Sequence, residues 1–441
     1  MNSVKWELTQ RCNLQCKHCF VGKIEYEKDL GINEARKMID VMVSSGIHEI
    51  VLSTKEPFAY SNICELLDYC AEQDLYLTIV TNGTLITERA LKSIARSKIK
   101  SLSVSMEGIT AESNDYIRGK GVYDKVISAI SRINKLNEST KYAFPLVLQI
   151  SLTSINYGEI SKMIPWFEDS PFIAVNVGDI ALLGNAVDND NIKLTEEQYD
   201  IASEILLKQY SELENPSFNL NLKKSTPYDT LYNNMRYGLC MDCVIPSCAS
   251  YHGYYSILPN GDTCSCVALN DVSFSHISNL KSGLNILRNG YIATESRIDN
   301  LGEYKKEGFC NECIYKDRCE LCLLLVYDAE KLKQAVAKCK KAAAKIKKAI
   351  DKIVANELKM GINRHSFIYE HDGRVELKKV SPTGTSIGLD ISDCVDIIKE
   401  IYQSLEYVLY EDVFVGDKEF NRSIIERLAY NDMLVIEREE V

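Results

Sequence analysis

The sequence predicts an α/β protein: a partial (β/α)6 barrel of the TIM type, then a cysteine-rich region, then a small α+β module. Three observations carry this reading. Short β-branched apolar runs alternate with segments of helical period over roughly the first 215 residues, the pattern of βα units around a parallel sheet. The sixteen cysteines are clustered, most of them between 240 and 339. The last 80 or so residues repeat the sequence of signals expected of an independent small fold.

In order along the chain, strands are expected at 4–9, 49–53, 76–81, 101–105, 146–153 and 173–179. Between them Ala35, Met38, Ile39 and Met42 share one helical face, as do Val126, Ile127, Ile130 and Ile133. In such folds ligands sit at the carboxyl ends of the strands, so chemistry is sought just after each one. From 240 to 339 the chain turns to cysteine-rich loops with a hairpin at 254–266, whose Pro259-Asn260-Gly261-Asp262 supplies turn chemistry. This reads as a second, smaller domain held by metal. Residues 331–359 carry ten lysines against Asp351 and Glu357, with Ala342-Ala343-Ala344 inside, and read as a solvated helical spacer. After Met360, strands at 365–370 and 375–380 flank His371-Asp372-Gly373-Arg374. Cys394, Val395, Ile398, Ile401, Tyr402 and Leu405 form a helical stripe, and a helix at 421–431 runs into a strand at 434–437. The expected domains are therefore 1–215, 216–340, a linker at 341–359, and 360–441.

Composition narrows the function classes. With 46% hydrophobic and 26% charged residues the chain is neither disordered nor fibrous. A net charge of −11 argues against a protein that grips nucleic-acid phosphates. The apolar run at 321–327 is too short to span a bilayer, so no membrane partner is expected. Met1-Asn2-Ser3-Val4-Lys5-Trp6-Glu7 lacks the charged-then-apolar pattern of a secretion signal, which gives a cytoplasmic expectation. In a reducing compartment, clustered cysteines are metal ligands or working thiols rather than disulfides.

Cys12, Cys16 and Cys19 follow the first strand directly, at Cys-x3-Cys-x2-Cys spacing. Three thiolates so close can hold three irons of a [4Fe–4S] cluster and leave the fourth iron open; zinc normally takes four protein ligands at a structural site. On this motif the sequence resembles the radical S-adenosylmethionine enzymes, over about residues 4–215. The resemblance implies that the cluster on Cys12, Cys16 and Cys19 binds S-adenosylmethionine and cleaves it to a 5′-deoxyadenosyl radical, with His18 beside the adenine. Ser53-Thr54-Lys55-Glu56-Pro57 is similar to the family's Gly-Gly-Glu-Pro motif. Glu56 and Pro57 match, while Thr54 and Lys55 replace both glycines, and Lys55 is expected to point away from the methionine ammonium. Thr81-Asn82-Gly83-Thr84 looks like the family's third strand end, placing Asn82 at the cofactor. Ser105, Glu107 and Gly108, followed by Arg118, resemble its serine–acid–glycine strand end and later arginine. By that likeness Ser105 and Arg118 bind the methionine carboxylate, where a guanidinium fork suits the geometry.

The second cysteine set is similar to a SPASM domain, which implies two auxiliary [4Fe–4S] clusters and three in all. Cys248, Cys266 and Cys322, with Cys243 or Cys240, would hold one; Cys310, Cys313, Cys319 and Cys339 would hold the other. The spacing between Cys319 and Cys322 is two residues where the family has three. A zinc ribbon competes for the Cys-x2-Cys pairs. Cys64, Cys70 and Cys394 read as core residues. The C-terminal module resembles the peptide recognition element of ribosomal-peptide biosynthesis, a winged helix that binds a leader peptide as an added strand. The acidic residues Glu411, Asp412, Asp417 and Glu419 speak against DNA there. Together these resemblances imply a maturase that abstracts hydrogen from a precursor peptide and installs a cross-link, epimerisation or backbone excision, fed by an electron donor such as flavodoxin or ferredoxin. Sulfatase-maturating enzymes share the layout but place an aspartate after the cysteine matched by Cys266, where this chain has Val267. The rival from another class is a zinc-bound winged-helix interaction protein without radical chemistry.

Overall fold

The computed structural model describes residues 3–22, 29–139, 143–223, 226–241, 256–264, 273–276, 308–316, 319, 329–380, 386–404 and 407–437. The chain forms two compact units. One comprises Met1–Leu206, Asn215–Lys224 and Cys248–Glu303; the other comprises Leu207–Glu214, Ser225–Ser247 and Tyr304–Val441.

The first unit is the expected α/β layer structure. Its strands β1 (Ser3–Trp6), β2 (Glu49–Leu52), β3 (Tyr76–Thr81), β4 (Lys98–Met106), β5 (Leu146–Ser151), β6 (Ala174–Gly178) and β7 (Asn219–Leu222) pair in parallel and in chain order. Between them run α1 (Ile32–Ser44), α2 (Ile63–Glu72), α3 (Glu88–Arg96), α4 (Ala111–Arg118), α5 (Val122–Ser139), α6 (Ile160–Glu168) and α7 (Glu196–Ser211). The alternation that predicts the strands is the alternation of burial: Val4, Trp6, Ile50, Leu52, Leu77, Ile79, Leu148, Val175 and Val177 are all inside. Ala35, Met38, Ile39 and Met42 form the buried face of α1. On α5 the buried face is Val122, Val126, Ala129, Ile130 and Ile133, so Ala129 stands where Ile127 was expected.

Beyond β1 the sheet continues with β8 (Ser256–Ile257), parallel to β1, then antiparallel β9 (Asp262–Cys264) and β10 (Ser273–His276). This corrects the placement of the expected hairpin. Its turn, with Gly261 at φ 88°, lies where expected, but the hairpin extends the first unit's sheet instead of belonging to a separate cysteine-rich domain.

The second unit contains α8 (Pro227–Tyr237), α9 (Gly308–Asn311), α10 (Ala329–Val354), β11 (Met360–Ile362), β12 (Ser366–His371), β13 (Arg374–Val380), β14 (Ser386–Asp390), α11 (Val395–Gln403), α12 (Tyr410–Val413), α13 (Lys418–Tyr430) and β15 (Leu434–Ile436). The hairpin β12–β13 forms as expected. The third strand of its antiparallel sheet is β14, whereas β15, the terminal strand, pairs with β11.

The reading of 331–359 as a solvated spacer is corrected. Ala342, Ile346, Ala349, Ile350 and Ile353 make a stripe on α10 that is buried in one core with Tyr228, Leu231 and Met235 of α8, Leu377, Ile398, Ile425 and Leu428. Lys333, Lys340, Lys341, Lys345, Lys347 and Lys348 are exposed on the rest of the helix. This core runs across the boundaries expected at 340/341 and 359/360, so residues after 360 are continuous in packing with α8 and α10. A buried ion pair adds register: Lys379 Nζ lies 2.6 Å from Asp432 Oδ2, which also accepts from Asn234 Nδ2 of α8 at 3.0 Å. Among the described residues no helix is long and apolar enough to cross a membrane.

Candidate functional site

At the carboxyl ends of the first unit's strands lies a cavity of about 500 Å3. Cys12, Cys16, Cys19, His18, Glu56, Asn82, Ser105, Glu107 and Arg118 all line it. Among the described site residues expected in this unit only Pro57 does not; it is buried as the first residue of a 3-10 turn, Pro57–Ala59.

Glu56 is an internal brace. Its carboxylate accepts from Phe58 N at 3.1 Å, Thr81 Oγ1 at 2.7 Å and Asn82 N at 2.7 Å, joining the end of β2 to the end of β3. Burial pushes its carboxyl upward and these donors oppose that. Asn82 in turn reaches the cysteine loop: its Nδ2 donates to Asn13 Oδ1 at 3.0 Å and lies 3.9 Å from Cys12 Sγ.

Glu107, at the end of β4, is 2% exposed and holds two partners on one oxygen. Arg118 Nη2 donates to Oε1 at 2.8 Å, His18 Nε2 lies 3.0 Å from the same atom, and Ser151 N donates to Oε2 at 2.7 Å. Burial alone would raise its pKa; His18 and Arg118 outweigh it and hold the carboxyl at about 2. Burial pushes the thiol of Cys16 up to about 11, against the lowering influence of Arg118, and burial also raises Cys12. Burial thus favours the neutral thiols of Cys12 and Cys16, and a metal ion that binds these two must displace their protons. Among the described residues no three His, Cys, Asp or Glu side chains already stand at metal-ion spacing.

Three buried polar atoms of residues lining this cavity, His18 Nδ1, Thr54 Oγ1 and Arg118 Nε, lack a hydrogen-bond partner among the described residues. Buried polar groups are normally paired. Three thiols on one loop, a fixed guanidinium and unsatisfied polar atoms around one cavity fit a thiolate-bound cluster with a polar, carboxylate-bearing molecule beside it.

Thr54 occupies the position of the first family glycine with φ 96°. A β-branched residue pays for positive φ in steric strain. Thr54→Gly is therefore expected to stabilise the metal-free chain by about 1 kcal/mol, relief of strain exceeding the added flexibility of glycine. Urea unfolding measures this, and a lowered midpoint would contradict it. Lys55 Nζ donates to Gly22 O at 2.9 Å, so its ammonium is engaged by the cysteine loop.

The sequence reading missed Gln149, Asn176 and Lys223, which line the cavity at the ends of β5, β6 and β7. The signal for the first two was a single amide inside an otherwise apolar strand.

In the second unit Cys310, Cys313, Cys319 and Cys339 come together. Cys339 on α10 is pushed up to about 12, first by burial and then by Cys319, Cys313, Asp229 and Cys310 around it. Tyr228 donates its hydroxyl to Cys313 Sγ at 3.3 Å, its ring set between Phe309 and Tyr315. Cys243, Cys248, Cys266 and Cys322 lie outside the described residues. Cys240 is buried and its thiol donates to Val380 O at 3.6 Å. Cys264, Cys70 and Cys394 are buried and Cys64 is half-buried.

A strand-end cavity with this cysteine loop defines a class, and comparison bears it out: residues 6–151 match the Radical SAM superfamily, so the chain carries a Radical SAM domain. It is 28% identical over 192 residues to the AdoMet-dependent heme synthase of Methanosarcina barkeri, covering 43% of this chain and 53% of that one. It is 30% identical over 130 residues to the mycofactocin maturase of Mycolicibacterium smegmatis, covering 29% and 33%. The matched segment thus spans about half the length of the heme synthase and a third of the maturase. Among solved structures, Streptococcus suis SuiB bound to S-adenosylmethionine is similar with a TM-score of 0.50 at 17% identity, covering 63% of each chain. Native anSMEcpe with bound AdoMet and Cp18Cys peptide gives 0.54 at 16% identity, covering 77% of this chain and 96% of that one. These two likenesses show a shared fold.

Proposed function

We propose that this protein is a radical S-adenosylmethionine maturase that abstracts hydrogen from a residue of a ribosomally made peptide and so installs a cross-link, an epimerisation or a backbone excision. The observation that carries the reading is the single cavity in which Cys12, Cys16 and Cys19 meet the His18–Glu107–Arg118 cluster. Cys12, Cys16 and Cys19 would hold a [4Fe–4S] cluster, which when bound and reduced would supply the electron for reductive cleavage of S-adenosylmethionine. The chain's own residues prepare the place. Glu107 keeps Arg118 charged and aimed, and Arg118 Nε is a ready donor for a carboxylate. Glu56 locks the backbone between β2 and β3 that faces the same space.

In this reading residues 1–215 hold the radical chemistry. Cys310, Cys313, Cys319 and Cys339 hold one auxiliary cluster, and Cys248, Cys266 and Cys322 with Cys243 or Cys240 hold the other. An external flavodoxin or ferredoxin delivers electrons. The peptide assignment is supported by the names of the mycofactocin maturase relatives and by the three-stranded sheet β12–β13–β14, whose outer strands β12 and β14 each pair on one side only among the described residues. A second reading, a tetrapyrrole substrate, is favoured by the names of the heme synthase and of the Fe-coproporphyrin III synthase of the same archaeon, 28% identical over 218 residues.

Because residues after 360 share a core with α8 and α10, removing them would unfold more than a docking surface. The test keeps the chain whole. Amide hydrogen exchange is followed with synthetic peptides covering the short reading frames beside the gene. Protection gained at 366–371 or 386–390 is the expected result. A chain that gains protection only with Fe-coproporphyrin III, around the cavity, would move the substrate to the second reading.

A further inference from the structure

The loop that carries the three cysteines is gripped from a distant part of the sheet. Strands β2 to β5 lie between β1 and β6, yet the segment after β6 returns to the loop after β1. Gly184 has φ 55°, and a Cβ built on it would stand 2.6 Å from Cys19 O, 2.6 Å from Gly22 N and 2.7 Å from Phe20 O. Those are three backbone atoms at distances real side chains do not reach, so only glycine fits. Gly22 answers it with φ 68°, its own added Cβ falling 3.0 Å from Gly184 Cα.

The next residue makes the attachment. Asn185 N donates to Cys19 O at 2.9 Å, and Asn185 Nδ2 donates to Cys16 O at 3.0 Å. One residue thereby holds the carbonyls of two of the three cysteines. It is itself held: Asn189 Nδ2 donates to Asn185 O at 2.8 Å. Ala186, next in the chain, is buried with Ile180 and Ile192 in a small apolar cluster of its own. The grip thus comes from an anchored segment, and Ile180 and Ala181 of that segment line the cavity.

We propose that Gly184-Asn185 is a positioning clasp that fixes the backbone of Cys16 and Cys19 in the shape their ligand role needs. It touches no reacting atom. Its purpose rests on the radical reading above, but its geometry does not, and the experiment separates the two.

In the metal-free full-length chain, the rates at which iodoacetamide alkylates each cysteine are mapped by peptide mass spectrometry. Asn185→Ala is expected to raise the rates at Cys16 and Cys19 about five-fold, the factor corresponding to one ordinary hydrogen bond lost. Asn185→Asp, which sets an acceptor against Cys16 O, is expected to raise them further. Cys70 on α2 serves as the internal reference, and the thermal midpoint should fall by no more than about 4 °C, the shift that one such bond accounts for. After reconstitution, the electron paramagnetic resonance spectrum of the reduced protein should respond more weakly to added S-adenosylmethionine in both variants than in the parent. Gly184→Ala is a third arm, and the two Asn185 variants decide the matter if it does not fold. Unchanged alkylation at Cys16 and Cys19 in both Asn185 variants overturns the clasp, whatever the parent does with S-adenosylmethionine. Faster alkylation in a protein whose parent form never cleaves S-adenosylmethionine leaves the clasp standing and removes the radical reading.

Discussion

Replacing Cys12, Cys16 and Cys19 together by alanine is expected to reduce the yield of 5′-deoxyadenosine from S-adenosylmethionine to the level seen without protein, while iron bound in the second unit stays. The expectation follows from where the thiols sit. They share one loop and one cavity, and among the described residues no other cysteine lines that cavity. The fold should survive, because the loop is held chiefly through backbone groups: Lys17 N donates to Ile117 O at 2.9 Å and Asn185 N to Cys19 O at 2.9 Å. Cys310, Cys313, Cys319 and Cys339 belong to the other unit and are untouched by the substitution. Chromatographic measurement of 5′-deoxyadenosine beside an iron count reads both parts. Undiminished 5′-deoxyadenosine would sink the assignment of the triad.

The second large effect is expected at Glu107. Removing one member of a buried ion pair leaves the other charged and unsolvated, which costs about 3–5 kcal/mol, a large share of the 5–15 kcal/mol typical of a folded domain. Glu107→Ala strips Arg118 and His18 of their shared partner and should show this cost in full. Glu107→Gln preserves the shape and isolates the charge. The sign with pH is fixed by the direction of the shift. The carboxyl titrates at about 2 in the folded chain against an ordinary 4.5, so its contribution is complete above about pH 4.5 and is lost as pH falls through 4.5 toward 2. The parent should lose stability across that interval by more than Glu107→Gln does, the difference being on the order of 3 kcal/mol. Denaturation midpoints between pH 7 and pH 2 measure it. Parallel curves for the two proteins would show that Glu107 does not carry the charge of this cluster.

What could be read from the residues alone, and what could not, divides along the range of the interactions. The six strands and the loop after the first are local signals: apolar alternation, then three cysteines at fixed spacing. The motifs after β2, β3 and β4 needed only their place behind a strand, and the cavity gathers them. β7 escaped because Asn-Leu-Asn-Leu is four residues long and half amide, so its alternation looks like loop chemistry. The helix α10 is legible in the sequence, but its lysines outnumber a stripe of two alanines and three isoleucines at 342, 346, 349, 350 and 353. That stripe acquires meaning only when α8 and the terminal strands and helices arrive to cover it. β14 was hidden for a similar reason, since Gly388 interrupts Ile387 and Leu389. The pairing of β8 with β1 joins residues some 250 positions apart, and Asn185 reaches Cys16 across 169. No periodicity records such contacts. Thr54 is intermediate: the departure from glycine was plain in the sequence, whereas the positive φ it forces on a threonine was not.

The most direct test of radical chemistry is the yield of 5′-deoxyadenosine from the intact chain, reconstituted anaerobically with iron and sulfide, reduced with dithionite and given S-adenosylmethionine, with metal content counted on the same sample. The expected result is 5′-deoxyadenosine well above the level of the triple-alanine variant, with iron rising toward about twelve per chain if three four-iron clusters form. A protein that takes up zinc in place of iron and yields no 5′-deoxyadenosine would contradict it and leave a zinc-held interaction protein in its stead.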